Sequence, residues 1–336
     1  MKKILLFSGV ICCMLGSVQA QSPQFSQFYA NPIYSNPALA GDAGTPRLIA
    51  NYRNQWATVG TAFQTAAFSF DTYAEDHQIG LGVQALHDQR GSVLKSDQVS
   101  AQFSKMVYLD GQQELRLIGG GQAAFAMNRW NGADLTFVSD FLGSPDPLSG
   151  SAIQQNRLTL SVGGILEYLP RHEDYASYWI SGSWHNIGVN SPVSIDHQRI
   201  NVQLGSKIPI GIPALFGNNL GSDLSRESAL NLGMQVRKQG SSRQLEVGFN
   251  LIFSPLVIGA WYRGLVWGSS RRDAVIGTAG WAYGNILFQA SYDLPVSSLG
   301  PDTGSFEISV WYGVDALFRF AGRRTTDRRA RKCLRY

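Results

Sequence analysis

The chain has little charge, little cysteine and no long apolar run beyond its first twenty residues. Charged residues make up 15% of its 336 residues, against about 25% in typical soluble domains. Disorder is excluded because a disordered chain needs high charge and few aromatics, whereas 11% of these residues are aromatic and 36 are glycine. No run of 18 apolar residues follows residue 20, so we predict no transmembrane helix.

The first twenty residues have the features of a secretory signal peptide. Two lysines precede an apolar run of thirteen residues, and Ala20 ends a small-residue cleavage pattern. The run is shorter than the ~20 residues that span a bilayer. We therefore predict residues 1–20 as a cleaved signal peptide. Of the three cysteines only Cys333 would remain, so an internal disulfide is excluded.

From about residue 46 to residue 318, apolar side chains alternate with small or polar ones, as in VSAQFS at 99–104. About fourteen such segments, most of 9–14 residues, begin near residues 46, 62, 78, 97, 113, 156, 175, 198, 227, 243, 256, 273, 285 and 305. Soluble strands average about 5–6 residues, whereas strands of ~10 residues with one apolar face are typical of membrane barrels. We predict an all-β fold, a single transmembrane outer-membrane β-barrel of about 14 antiparallel strands over 46–318. A soluble secreted sandwich is the alternative.

Connection lengths predict which end of the barrel faces outward. An even strand number leaves both termini on the periplasmic side, and the long connections 128–155, 186–197 and 294–304 are expected outside. Residues 209–226 depart from this rule, so either a strand is misplaced or this is a periplasmic insertion. Aromatic residues near segment ends are expected to form an interfacial girdle: Trp56, Trp130, Trp179, Trp184, Trp267, Trp281, Tyr108, Tyr168 and Tyr283.

The segments that flank the predicted barrel differ from it. Residues 21–45 hold Phe25, Phe28 and two tyrosines without strand alternation, and are too apolar to float in water. We hypothesise a partial plug in the periplasmic mouth; an ordinary strand leader without function is the alternative. Residues 319–336 carry eight basic side chains and one acid. This predicted periplasmic tail either binds acidic protein surfaces or anionic headgroups, or is simply a charged tail.

Residues 21–41 read QSPQFSQFYANPIYSNPALAG, and YRNQW follows at 52–56. This opening closely resembles that of the PorP/SprF family of outer-membrane proteins from Bacteroidota. The motif positions are Gln24, Phe25, Ser26, Gln27, Phe28, Tyr29, Asn31, Pro32, Asn36, Pro37 and Gly41. The tail resembles the family's basic ending, although Leu334 stands where that ending usually has proline. The tail positions are Arg328, Arg329, Arg331, Lys332, Cys333, Arg335 and Tyr336.

The resemblance implies a non-enzymatic accessory of type IX secretion and gliding motility. Such a barrel helps to export, dock or anchor a large adhesin-like surface protein with a C-terminal sorting domain. The resemblance also implies a periplasmic partner that binds peptidoglycan or links to the motor. An outer-membrane pore or transporter for small apolar solutes is the alternative, because a fourteen-stranded barrel is wide enough for a lumen.

Long loops on a rigid barrel carry recognition, which points to acidic and aromatic loop residues as partner-binding candidates: Trp130, Asp134, Asp140, Phe141, Asp146 and Asp302. Enzyme signals are weak, because the chain has neither a Walker A loop nor a G-x-S-x-G elbow. Ser181, Ser183 and His185 are the one Ser–His group to consider for a hydrolase, the third alternative. The glycine run 119–121 lies within a strand and is expected to accommodate a lumen obstruction or sheet curvature. We predict no cofactor, no metal site and no nucleic-acid partner, and outer-membrane lipid around the barrel.

Overall fold

The computed structural model describes residues 22–56, 63–132, 152–172, 174–189, 197–211, 228–240, 242–264, 272–296 and 304–314. The predicted signal peptide and the basic tail lie outside these residues.

Fourteen antiparallel strands in the described part of the chain close into one barrel. They are β1 (Arg47–Gln55), β2 (Phe63–Ala74), β3 (Ile79–Arg90), β4 (Leu94–Tyr108), β5 (Leu115–Asn131), β6 (Ala152–Tyr168), β7 (Ser177–Ile187), β8 (Arg199–Pro209), β9 (Ser228–Gln239), β10 (Ser242–Phe253), β11 (Leu256–Gly264), β12 (Arg272–Tyr283), β13 (Ile286–Pro295) and β14 (Ser305–Gly313). Strand β1 pairs with β14 along its whole length, so the sheet has no open edge. Closure satisfies the backbone groups that lipid cannot, and the predicted barrel is confirmed.

The predicted strand starts agree with the observed ones to within four residues. The largest differences are at β4 and β6, which begin at Leu94 and Ala152 rather than near 97 and 156. Both strands continue past the apolar band into polar residues such as Lys95 and Gln154. Polar residues keep the backbone pairing without the apolar alternation, so the sequence pattern does not mark these ends.

The two faces of the sheet have opposite chemistry. On β4, Val99 and Phe103 point outward with 64% and 47% of their surface exposed, while Ser100 and Gln102 are buried on the lumen side. The same alternation recurs on most strands, so an apolar wall surrounds a polar lumen. This is the arrangement that lipid outside and polar groups inside require. None of the helices in the described residues is long and apolar enough to cross a membrane.

The ends of the barrel differ in their connections. We call the end that holds Arg47 and Gly313 the turn end, because most short connections lie there, and the opposite end, with Gln55 and Ser305, the loop end. Strand β8 ends at Pro209 and β9 begins at Ser228, both at the turn end. The connection over 209–226 is therefore an insertion at the turn end, and no strand was misplaced.

The predicted aromatic girdle is correct for some positions and wrong for Trp179. Trp184, Trp281 and Tyr283 are exposed on the outer wall, but Trp179 is buried in the lumen. Its place in β7 puts it on the same face as Ser181, and its ring packs where a side chain on Gly205 would sit. Trp267 lies outside the described residues.

Placing a charge in the middle of the wall tests the assignment of faces. Leu204 points outward at the centre of β8, and Leu204→Arg is expected to lower the free energy of unfolding by about 2–4 kcal/mol. The control Gln154→Arg, exposed near the loop end, is expected to cost about 0–1 kcal/mol. Urea unfolding in lipid vesicles measures both, and equal costs at the two sites would contradict the assignment.

Candidate functional site: the leader in the lumen

Residues 22–46, which we call the leader, run through the lumen from one end to the other. At the loop end, the Ser22 backbone N–H donates to Gln239 Oε1 at 3.1 Å. At the turn end, the Gly41 N–H donates to Asp71 Oδ2 at 2.7 Å. The leader therefore extends through the lumen, beyond the single mouth at which a partial plug was predicted. The prediction of both termini at one end holds for the first and last strands but not for residue 22, because the leader crosses the lumen before β1 begins.

Prolines and asparagines fold the leader into short turns rather than a strand. A 3₁₀ turn at Phe28–Ala30 precedes a one-turn helix, α1 (Pro32–Ser35), and a second 3₁₀ turn at Pro37–Leu39. Proline begins both later turns, where its missing N–H costs nothing. The Asn36 side chain caps the last turn by accepting from Ala38 N–H at 2.9 Å. The leader therefore crosses the lumen as a series of short turns.

A buried carboxylate holds two consecutive leader amides near the loop end. Glu307 Oε2 accepts from the Ser26 N–H at 2.5 Å, and Glu307 Oε1 accepts from the Gln27 N–H at 3.3 Å. Glu307 is completely buried. Both of its oxygens are therefore used by the leader backbone.

Glu307 belongs to a buried charged group that we call the anchor cluster: Arg53, Glu246, Arg263, Asp293 and Glu307. Asp293 Oδ2 lies 3.1 Å from Arg53 Nη2 and 2.8 Å from Arg263 Nη1, and Arg263 Nε lies 2.6 Å from Glu246 Oε1. The leader joins the cluster because the Ser26 hydroxyl donates to Asp293 at 2.8 Å. Breaking one partner of a buried ion pair leaves an uncompensated charge and is strongly destabilising, so the cluster fixes the leader's position.

Aromatic packing holds the middle of the leader. The Phe28 ring meets Trp261 edge-on with centroids 5.3 Å apart, and Tyr29 lies 5.2 Å from the same ring. Asn250 Oδ1 accepts from Trp261 Nε1 at 3.1 Å. Gly233 leaves room for the indole, because a Cβ there would come within 2.8 Å of it. The leader thus adds apolar contacts to a mainly polar lumen.

One leader carbonyl accounts for the Ser–His group. The Ser35 oxygen accepts from Ser183 Oγ at 2.8 Å and from Asn201 Nδ2 at 2.9 Å, and His185 Nε2 lies 3.0 Å away. Ser181 bonds instead to Gln203. Ser183 and His185 therefore bind the leader's backbone, and this arrangement gives no support to a hydrolase site.

Three glycines on the lumen face make room for the leader. A Cβ on Gly80 or Gly163 would lie 1.9 Å from the Ala40 oxygen or the Asn36 Oδ1, respectively, and one on Gly120 would lie 2.5 Å from Ala38. The expected obstruction at the glycine run 119–121 is thus the chain's own leader. Contact this close to the strand backbone requires residues without a side chain.

A second buried ion pair fixes the leader where it enters β1. Arg47 Nε lies 2.7 Å from Asp71 Oδ1, and its Nη2 donates to the Leu39 oxygen at 3.3 Å. Gly41 adopts a φ of 71°, which glycine tolerates and which turns the chain toward the first strand. The leader is therefore anchored near both ends of the lumen.

The structure places all eleven motif residues, from Gln24 to Gly41, inside the lumen. Trp130 lies at the loop end of β5 and is 36% exposed. The other candidate partner residues and the basic tail lie outside the described residues: Asp134, Asp140, Phe141, Asp146, Asp302 and residues 319–336. No group of three metal-ligating side chains occurs within the described ranges.

Sequence reasoning missed the anchor cluster. A signal was present, because Glu246, Asp293 and Glu307 each occupy a lumen position in an alternating strand of a chain with few charges. Charges at such positions are costly unless they are paired or bound. The sequence alone, however, does not show which charges meet across the barrel.

The closed sheet, apolar wall and polar lumen define an outer-membrane β-barrel protein. Residues 17–312 match the family described as type IX secretion system membrane protein PorP/SprF. The chain belongs to this family and lies in the outer membrane.

Solved barrels share this general form at low similarity. The chain is similar to Omp33 of Acinetobacter baumannii, with 8% identity, 81% of this chain and 99% of that chain covered, and a TM-score of 0.41. It is also similar to the β domain of the Bordetella autotransporter BrkA (12% identity, 80% and 99% covered, TM-score 0.39). It is similar as well to BamA of Haemophilus ducreyi lacking POTRA domains 1–3, with 11% identity and a TM-score of 0.41. That match covers 80% of this chain and 70% of the BamA chain. No curated protein sequence matches the chain significantly.

Adding a methyl group at a leader-contacting glycine tests the packing. Gly163→Ala is expected to lower the free energy of unfolding by about 1–3 kcal/mol, because its Cβ overlaps Asn36. Gly164→Ala is the matched control, since its Cβ would lie 3.8 Å from the nearest atom. Denaturant unfolding compares the two, and a control as destabilised as Gly163→Ala would refute the contact.

Removing one acceptor from the anchor cluster tests the carboxylate's role. Glu307→Gln replaces one accepting oxygen with an NH2 group that cannot accept, so at least one of the Ser26 and Gln27 amides is expected to exchange with deuterium roughly tenfold faster. Glu75→Gln removes an exposed carboxylate at the turn end and serves as the control. If amide exchange at Ser26 and Gln27 is the same in both variants, Glu307 does not hold the leader.

Proposed function

We propose that this barrel is an accessory of type IX secretion that docks or anchors an adhesin-like surface protein at its loop end. The observation that carries the proposal is the leader, which fills the middle of the lumen and is anchored near both ends. A barrel filled by its own chain is poorly suited to carrying solutes, which leaves its loops and outer wall for binding. Family membership supports a role in secretion.

Connection lengths support an outward-facing loop end. Twenty residues separate β5 from β6 there, whereas two residues join β10 to β11 at the turn end. Outer-membrane barrels have short periplasmic turns and longer extracellular loops. On this orientation Trp130 lies at the extracellular end of β5. The long connection that follows it in the sequence holds Asp134, Asp140, Phe141 and Asp146.

A recess at the loop end offers a place for part of the client. A cavity of about 500 Å³ opens beside Ser22, and its lining includes Arg53, Arg90, Trp56 and Phe63. Arginine and tryptophan, both present at this mouth, are enriched at the anchor points of protein interfaces.

The basic tail is proposed to bind a periplasmic partner. Strand β14 ends at Gly313 at the turn end, so a tail that continues from it faces the periplasm on this orientation. Its arginines suit an acidic surface on a protein that binds peptidoglycan or links to the motor. We propose that Cys333 and Tyr336 belong to the same contact.

Affinity purification tests the docking proposal. The tagged full chain, extracted in mild detergent, is expected to retain a near-equal amount of one large surface protein with a sorting domain. Trp130→Ala is expected to reduce the retained amount several-fold, because an aromatic anchor dominates binding energy. Trp281→Ala, an exposed tryptophan near the turn end, is the matched control and is expected to retain the client.

Planar-bilayer conductance separates this proposal from the pore alternative. The intact protein is expected to pass no steady current, and deletion of 22–41 is expected to open one. A solitary barrel that conducts in its intact form would refute the docking proposal and favour a pore or transporter for small apolar solutes.

A further inference from the structure

On the outer wall at the loop end, positive charges stand directly opposite one another. Lys238 of β9 pairs with Arg243 of β10, and Lys95 of β4 pairs with Arg129 of β5. All four side chains are exposed. Residues directly opposite across an antiparallel pair lie on the same face with Cβ atoms about 5 Å apart, so each pair concentrates two cations on one patch of wall.

Such pairs are unfavourable unless an anion lies between them. Like charges directly opposite in a sheet destabilise it. Lys238 and Arg243 have no acidic partner within the described part of the chain. At the other pair, Asp97 binds Arg129 and also His87, but Lys95 has no acidic partner in the described strands. Within the described residues, three of the four cations thus have no acidic partner.

The pairs lie at the border of the apolar wall. Directly below Lys238 and Arg243, the next outward pair is Val236 and Leu245, and Val236 is an exposed apolar residue. Lipid headgroups lie where an apolar surface ends, and their charge attracts basic side chains at that depth.

Among the described strands, directly opposed pairs of cations occur only at the loop end. Other loop-end positions are neutral, as at Gln64 and Gln154, or acidic, as at Asp273. The short connections at the turn end are instead mainly acidic, with Glu75, Asp76, Asp110, Glu114 and Asp174. The loop end therefore offers cation pairs to an anionic headgroup layer, whereas the mainly acidic turn end does not.

We propose that the Lys238–Arg243 and Lys95–Arg129 pairs are two binding sites for phosphate groups of lipids in the outer leaflet. An arginine binds phosphate through two parallel hydrogen bonds, and a lysine adds a compact charge. A lipid phosphate between the two side chains replaces their repulsion with two attractions. Only the choice of leaflet rests on the orientation proposed above, because the binding itself is independent of a client protein.

Native mass spectrometry of the full chain, titrated with lipid A carrying two phosphates, tests the sites. Lys238→Gln with Arg243→Gln is expected to weaken lipid A binding at one site roughly thirty-fold. Each basic side chain near an anionic membrane surface raises the affinity roughly fivefold, and this variant loses two of them. Lys95→Gln with Arg129→Gln is expected to weaken the second site. Lys105→Gln with Arg171→Gln removes two turn-end cations and is expected to leave binding unchanged.

Several outcomes would overturn the proposal. These are equal binding by the loop-end and turn-end variants, or equal binding of lipid A from which the phosphates have been removed. Complete displacement by excess inorganic phosphate would show general phosphate sites rather than lipid sites. The four substitutions are on exposed side chains, and heat-modified gel mobility verifies that each barrel is folded.

Discussion

A segment without regular secondary structure can lie inside a barrel only if its backbone groups find partners there. Unpaired buried N–H and C=O groups are costly, and the leader meets this constraint with lumen side chains. Glu307 accepts from two of its amides, and Ser183, Asn201 and His185 surround one of its carbonyls. The polar lumen therefore has a structural reason beyond lining a channel.

This constraint explains why the leader and the barrel are a single structural unit. Glycines at lumen positions leave room for the leader to approach the strands closely, and Trp261 packs beside Phe28 and Tyr29. Removing the leader would expose the charges of the anchor cluster and leave empty space beside Gly80, Gly120 and Gly163. The opening motif is then best understood as the complement of specific wall residues, which ties its long sequence pattern to the lumen it fills.

The fold was predictable from the sequence because period-two alternation survives along most strands. The strand extensions at Leu94 and Ala152 were not, since polar residues continue the ladder without the apolar signal. The leader's burial was anticipated from its aromatics, but its full path was not. Which of Arg53, Arg263, Asp293 and Glu307 meet depends on strands far apart in sequence, and no local pattern encodes such a meeting.

The most direct test of the account is the side of the membrane on which each end of the leader can be reached. In a Cys333→Ser background, Ser22→Cys is predicted to react with a membrane-impermeant maleimide on intact cells. Thr45→Cys, at the turn end, is predicted to react only after the outer membrane is permeabilised. The reverse pattern, or equal labelling of both positions on intact cells, would contradict a leader that crosses the lumen toward the cell surface.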